Sequence, residues 1–125
     1  MFGFGRKLDL GAAGERAAAR FLRRAGLRII EKNFRTAVGE IDLVAIDADT
    51  IVFVEVKTLR SAEAADPEGK VDRRKQDKLV RVARDWLARH RYPDRAYRFD
   101  AVSVVMPAKG EPEIRHIVDA FVPRS

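Results

Sequence analysis

The sequence predicts an α/β domain in which a mixed β-sheet is flanked by α-helices, and three observations carry that prediction. A helical apolar stripe occupies the first quarter of the chain. Short runs alternating apolar and polar residues follow it, and a second helical stripe interrupts them, giving the order helix, three strands, loop, helix, two strands. The 125 residues are 46% hydrophobic and 35% charged, the composition of one folded domain with its own core and not of a disordered chain. There is no cysteine, which excludes disulfides, thiolate zinc sites and cysteine nucleophiles.

From about Leu10 to Ala25, LGAAGERAAARFLRRA sets Ala13, Ala17, Phe21 and Ala25 at four-residue spacing, with Ala18 and Leu22 beside them, and Gly26 ends the helix. Arg16, Arg20, Arg23 and Arg24 share another face, a row able to meet phosphates. Glu15 falls on neither face and has no basic partner one turn on, so its simplest local reading is an acid at the positive end of the helix. Leu27 to Phe34 reads as a first strand, and 61–71, rich in small and charged residues with Pro and Gly, as a mobile loop. The second helix starts near Asp72 as cap and ends near His90, with Leu79, Val82, Ala83, Trp86 and Leu87 as its stripe. Extended back one turn, the stripe reaches Lys75 and Gln76, whose polar ends must bond within the protein or point into a cavity. Arg73, Arg74, Lys75 and Lys78 make the start of this helix basic. YRFDAVSVVM and EIRHIV close the sheet as two further strands. Asp100 reads as a structural acid paired with an arginine, and His90 and His116 as structural.

Between these elements lies GEIDLVAIDADTIVFVEVKTLR, residues 39–60, which reads as two strands about the Asp47–Thr50 turn. In it Ile41, Leu43 and Ala45 alternate with Glu40, Asp42, Val44 and Ile46. With Ala48 and Asp49 at the tip, Ile46 opposes Ile51, and counting outward sets Val44 against Phe53, Asp42 against Glu55 and Glu40 against Lys57. Opposed residues share a face, so two carboxylates and an ammonium meet at the end of an apolar face. Opposed carboxylates repel and resist ionisation unless a cation or hydrogen bonds compensate. A divalent metal resolves that conflict; so do arginines at the carboxylate pair, beside a structural salt bridge of Glu40 with Lys57.

An acid on one strand followed across a turn by Glu-X-Lys, here Asp42 and Glu55-Val56-Lys57, resembles the PD-(D/E)XK nuclease superfamily. The wider pattern, GERAAARFLRRAG, the hairpin, KQDKL and RFDAVSVV, is similar to the YraN-type family within it and to archaeal Holliday-junction resolvases. The likeness covers nearly the whole chain, with Ile41 standing where the superfamily motif has proline. It implies a restriction-endonuclease-like core in which Asp42 and Glu55 hold Mg²⁺ or Mn²⁺ and Glu15 completes the acidic cluster. It further implies that Lys57 orients or polarises the attacking water, with Gln76 and Lys75 in support.

The expected function is therefore a metal-dependent endonuclease acting on structured or branched nucleic acid, DNA in preference to RNA. Lys and Arg number 25 against 19 Asp and Glu, which suits a polyanionic partner. Arg16, Arg20, Arg23, Arg24, Arg73, Arg74, Lys75 and Lys78 are the candidate phosphate contacts, giving steep salt dependence and little base specificity. The rival is a nucleic-acid-binding or scaffold protein that keeps the fold without turnover; an adaptor using the 61–71 loop has only that loop's composition behind it. No run approaches a membrane span, so no membrane partner and a cytoplasmic location are expected, and a homodimer is in keeping with the likeness to the resolvases.

Overall fold

A computed structural model describes the backbone of residues 2–61, 71–92 and 94–123, and side chains from Leu10 onward. The elements are α1 (Phe2–Arg24), β1 (Arg28–Arg35), β2 (Glu40–Asp47), β3 (Thr50–Leu59), α2 (Arg73–Arg89), β4 (Tyr97–Val105) and β5 (Glu113–Phe121). The strands form one sheet in sequence order, antiparallel except for the parallel pair β3 and β4. That parallel pair requires a crossover, and α2 lies within it. The mixed sheet flanked by helices is the architecture expected. The loop expected at 61–71 lies, for residues 62–70, outside the described residues.

Alternation along the strands sorts the core into two layers. Leu43, Ala45, Val52, Val54, Val102 and Val104 pack against Ala18, Ala19 and Leu22 of α1. Val44, Ile51, Phe53 and Phe99 pack on the other face against Leu79, Val82, Ala83, Trp86 and Leu87 of α2. Phe53 meets Trp86 edge to face at 5.7 Å, a contact that adds about 1 kcal/mol to the area it buries.

Two expectations need correction. Helix α1 begins at Phe2, not near Leu10, so Glu15 sits mid-helix and the dipole of a first turn does not explain it. The buried side of α1 is Gly14, Ala18, Ala19 and Leu22, whereas Phe21 is exposed. The smallest residues face the sheet, which lets helix and sheet approach closely. The end of α1 is as expected: Gly26 takes φ +100°, the Gly26 N–H donates to Arg23 O at 3.0 Å and the Leu27 N–H to Leu22 O at 2.9 Å.

Helix α2 opens on Asp72, whose side chain accepts from the Lys75 N–H at 2.9 Å, and closes on His90, whose ring stacks on Trp86 at 4.0 Å. Asp100 is buried and paired with Arg98 as expected. Its carboxylate accepts from Arg98 Nε at 3.0 Å and the Asp119 N–H at 3.1 Å, and lies 2.8 Å from His116 Nε2. Arg98 also reaches Asp47 at 3.0 Å, tying β2, β4 and β5 together.

Candidate active site at the open end of the central hairpin

The β2–β3 ladder has the register counted from the turn, with Ile46 opposite Ile51, Val44 opposite Phe53 and Leu43 opposite Val54. Beyond Leu43 and Val54 no further Cα pair forms, so the expected pairs of Asp42 with Glu55 and Glu40 with Lys57 are not made. The Val56 N–H, free of a β2 carbonyl there, donates to Asp42 Oδ2 at 2.7 Å. The same place disturbs the alternation of β2, because Ile41 joins the α2 layer while Leu43 lies in the α1 layer. Across from Asp42, Asn33 of β1 adopts φ +54°, a left-handed residue that turns the strand locally. Ile41 therefore does not share a face with Leu43 and Ala45.

Asp42 is only 8% exposed. Burial, first, and then the charges of Glu55, Glu15 and Glu40 push its carboxyl up from 3.8 to about 7, against the opposing pull of the Val56 N–H. Glu15 is thus close enough, from the opposite layer, for its charge to bear on Asp42, because Asp42 lies where the strands part and both layers are within reach. Four carboxylates bear on one point, and two of them have a described cation: Glu55 pairs with Lys75 Nζ and Glu40 with Arg35 Nε. Glu55 and the coulombic pull of Asp42 and Asp72 raise the Lys75 ammonium pKa, although desolvation, the largest single influence, opposes this.

Two adjoining cavities, of about 360 and 410 Å³, share Glu55, Asp72 and Lys75. The first also takes in Lys57, Thr58 and Ser103. The second takes in Asp42, Glu40, Arg74 and Lys78. Lys57 is exposed and belongs only to the first, while Asp42 belongs only to the second. Glu40 does not bridge to Lys57; its carboxylate pairs with Arg35 Nε at 2.6 Å, a partner on β1. Gln76 lines neither cavity: its Nε2 donates to Val71 O at 2.6 Å and secures the approach to α2. Of the two polar residues reached by the backward stripe, Gln76 bonds within the protein and Lys75 points into the cavities.

The basic residues divide by layer. Arg73, Arg74, Lys78 and Arg81 continue from the second cavity along exposed α2. Arg16, Arg20, Arg23 and Arg24 are exposed on α1, on the other side of the sheet, with Arg20 and Arg24 lining a separate hollow beside Glu111 and Pro112. The two rows do not merge into one surface. Among the described residues, no group of three or more His, Asp or Glu side chains is close enough to hold a metal ion unaided. Also among them, no helix is long and apolar enough to cross a membrane. Sequence reasoning did not find Asp72, which lines both cavities, or Gly14, whose place inside an alanine-rich helix was the available signal.

The fold and site define a mixed-sheet α/β protein whose central hairpin opens onto an acidic cleft edged with lysines. The chain belongs to the uncharacterised protein family UPF0102, whose family model matches residues 14–104, a span that includes Glu15, Asp42, Glu55, Lys57 and Lys75. It is 43% identical over 112 residues to a UPF0102 protein of Geotalea daltonii, covering 90% of this chain and 88% of that one. It is 45% identical over 117 residues to a UPF0102 protein of Nocardia farcinica, covering 94% and 92%. Among solved structures, that of Pyrococcus furiosus SfsA in complex with Ca²⁺ aligns with TM-score 0.49 at 18% identity, over 90% of this chain and 65%, under two thirds, of that one.

Proposed function

We propose that this protein is a metal-dependent endonuclease that hydrolyses phosphodiester bonds in structured or branched DNA with little sequence specificity. The observation that carries the reading is Asp42: a buried carboxyl surrounded by the charges of Glu55, Glu15 and Glu40, pushed up to about 7, in an acidic cleft edged by Arg74, Lys75 and Lys78. Oxygen ligands gathered around a carboxyl that resists ionisation suit a hard divalent cation. Asp42 and Glu55 would hold Mg²⁺ or Mn²⁺, with Glu15 completing the set directly or through water. Bound there, the cation supplies positive charge to a phosphate and lowers the pKa of a coordinated water.

The chain's own residues do the rest. Lys75, on the first turn of α2, sits between the two cavities, where its ammonium can offset charge gathering on the phosphate oxygens. Lys57, exposed in the adjoining cavity, would hydrogen-bond the attacking water or a phosphate oxygen. Arg73, Arg74 and Lys78 bind phosphates on either side without reading bases. Gln76 acts through the helix start that it anchors.

A second reading has an observation of its own. Lys75 already neutralises Glu55, and the carboxylates are not gathered tightly enough to hold a metal unaided, which favours a nucleic-acid-binding or scaffold protein without turnover. One experiment separates the two: nicking of branched, flapped and plain duplex DNA with Mg²⁺, Mn²⁺ or chelator, in wild type and Glu55→Ala. Cation-dependent cleavage abolished by Glu55→Ala is expected. Absence of cleavage and of calorimetric metal binding would reject the nuclease, and binding that survives both chelator and substitution would select the scaffold.

A further inference from the structure

We infer that Gly14 is a positioning residue: its missing side chain lets α1 close onto Thr58 of β3 and so brings Glu15 to Asp42. This rests on the proposed cation site and adds a residue outside its ligand set. Glycine is the least favourable helix residue after proline, yet Gly14 is buried inside a helix of 23 residues. A Cβ there would collide with Thr58 Oγ1, Cγ2 and Cβ, whereas a Cβ at Gly11 on the same helix would meet nothing within 4 Å. The demand is local to Gly14.

Thr58 cannot easily yield. Its branched side chain is stiff at χ1, and its backbone is held in the β3–β4 ladder opposite Val104. A methyl group at position 14 would therefore push α1 outward by about 1–2 Å before ordinary carbon contact is restored. Glu15, the next residue, would move with it. Val56, two residues before Thr58 and packed in the α1 layer, donates its N–H to Asp42 Oδ2 at 2.7 Å, so the seating of α1 on Thr58 sets how near Glu15 comes to the carboxyl that this stretch of β3 holds. Thr58 directly follows Lys57, so the contact lies beside the cleft.

The test is Mn²⁺ binding to the full chain by titration calorimetry, with folding monitored by circular dichroism and urea unfolding. Gly14→Ala is expected to weaken Mn²⁺ binding roughly tenfold, about as much as Glu15→Gln, and to cause no further loss in a Glu15→Gln background, since it acts through Glu15. Adding Thr58→Gly should restore Gly14→Ala to within about twofold of wild type, and Thr58→Ala, which leaves the Cβ contact, only in part. If Gly14→Ala alone does not fold, the pair with Thr58→Gly should fold and bind like wild type. A folded Gly14→Ala with wild-type affinity overturns the inference, as does an equal loss on top of Glu15→Gln, or a pair that stays unfolded or weak. Wild type that binds no Mn²⁺ overturns the cation site and this inference together, which distinguishes the two failures.

Discussion

Replacing Asp42 by Asn should make the protein more stable at neutral and alkaline pH, because the native state holds this carboxylate under repulsion. In the folded protein the group keeps its proton up to about 7, and in the unfolded chain it releases it near 3.8. Across that window the native state binds more protons, so stability falls as pH rises, and above about 7 the whole cost is present. At 1.36 kcal/mol per unit the full difference is ~4 kcal/mol, of which about 2.5 kcal/mol is lost between pH 5 and pH 8. With Asp42 only 8% exposed, solvent screening removes little of this. Asn keeps an oxygen for the Val56 N–H and cannot ionise, so the variant should lack this slope and exceed wild type by roughly 3–4 kcal/mol at pH 8. Urea unfolding of both proteins at pH 5, 6, 7 and 8 measures it. Mn²⁺ at a hundredfold over its dissociation constant should return about 2.7 kcal/mol to wild type at pH 8 and little to the variant. Equal pH slopes in the two proteins, or an Asn variant less stable at pH 8, would refute the electrostatic reasoning.

Other predictions concern parts of the fold that hold or feed this site. Asp100→Ala should cost about 1–3 kcal/mol in urea unfolding, because it removes the buried carboxylate shared by Arg98, His116 and the Asp119 N–H and leaves half-buried Arg98 with Asp47 alone. Desolvation raises the Asp100 carboxyl pKa, but bonds from His116, Arg98 and the Asp119 N–H outweigh it and leave the group below its ordinary 3.8; acid titration should therefore show this stability present above 3.8 and lost as pH falls beneath it. Ala48, at φ +54° in the hairpin turn, should gain roughly 1 kcal/mol on replacement by Gly, read as a higher urea midpoint at unchanged m-value. Neutralising Arg74 and Lys78 together should weaken duplex binding and lower the slope of log affinity against log salt by about 2, measured by fluorescence anisotropy. An unchanged slope would remove this face of α2 from the phosphate contacts.

Much of the site was legible because strand geometry is local. The alternation of apolar residues about Asp47–Thr50 leaves one register that buries Ile51, Val44 and Phe53 together, and beyond its last pair Asp42 and Glu55 line one cavity. Capping at Asp72 and termination at Gly26 were equally local, each needing a few residues and one backbone angle. The burial of Gly14 rather than Phe21 was not legible, since the face a helix presents depends on how closely the sheet lets it approach. Nor was the exchange of roles between Lys75 and Gln76. Both are polar residues on one turn, and only the path of the chain at Val71 decides which of them bonds backwards and which meets Glu55.

The sequence by itself determined the order of elements, the layers' apolar composition, the hairpin register and the excess of positive charge, all set by periodicity and short-range sterics. Tertiary structure alone decided that the ladder stops at Leu43 and Val54 and that Asp42 then bonds the Val56 N–H. It also decided that the charge of Glu15 bears on Asp42 from the opposite layer and that the arginines of α1 and α2 lie on opposite sides of the sheet. Those outcomes depend on where two helices settle against one sheet, a balance of packing and charge among residues far apart in the chain.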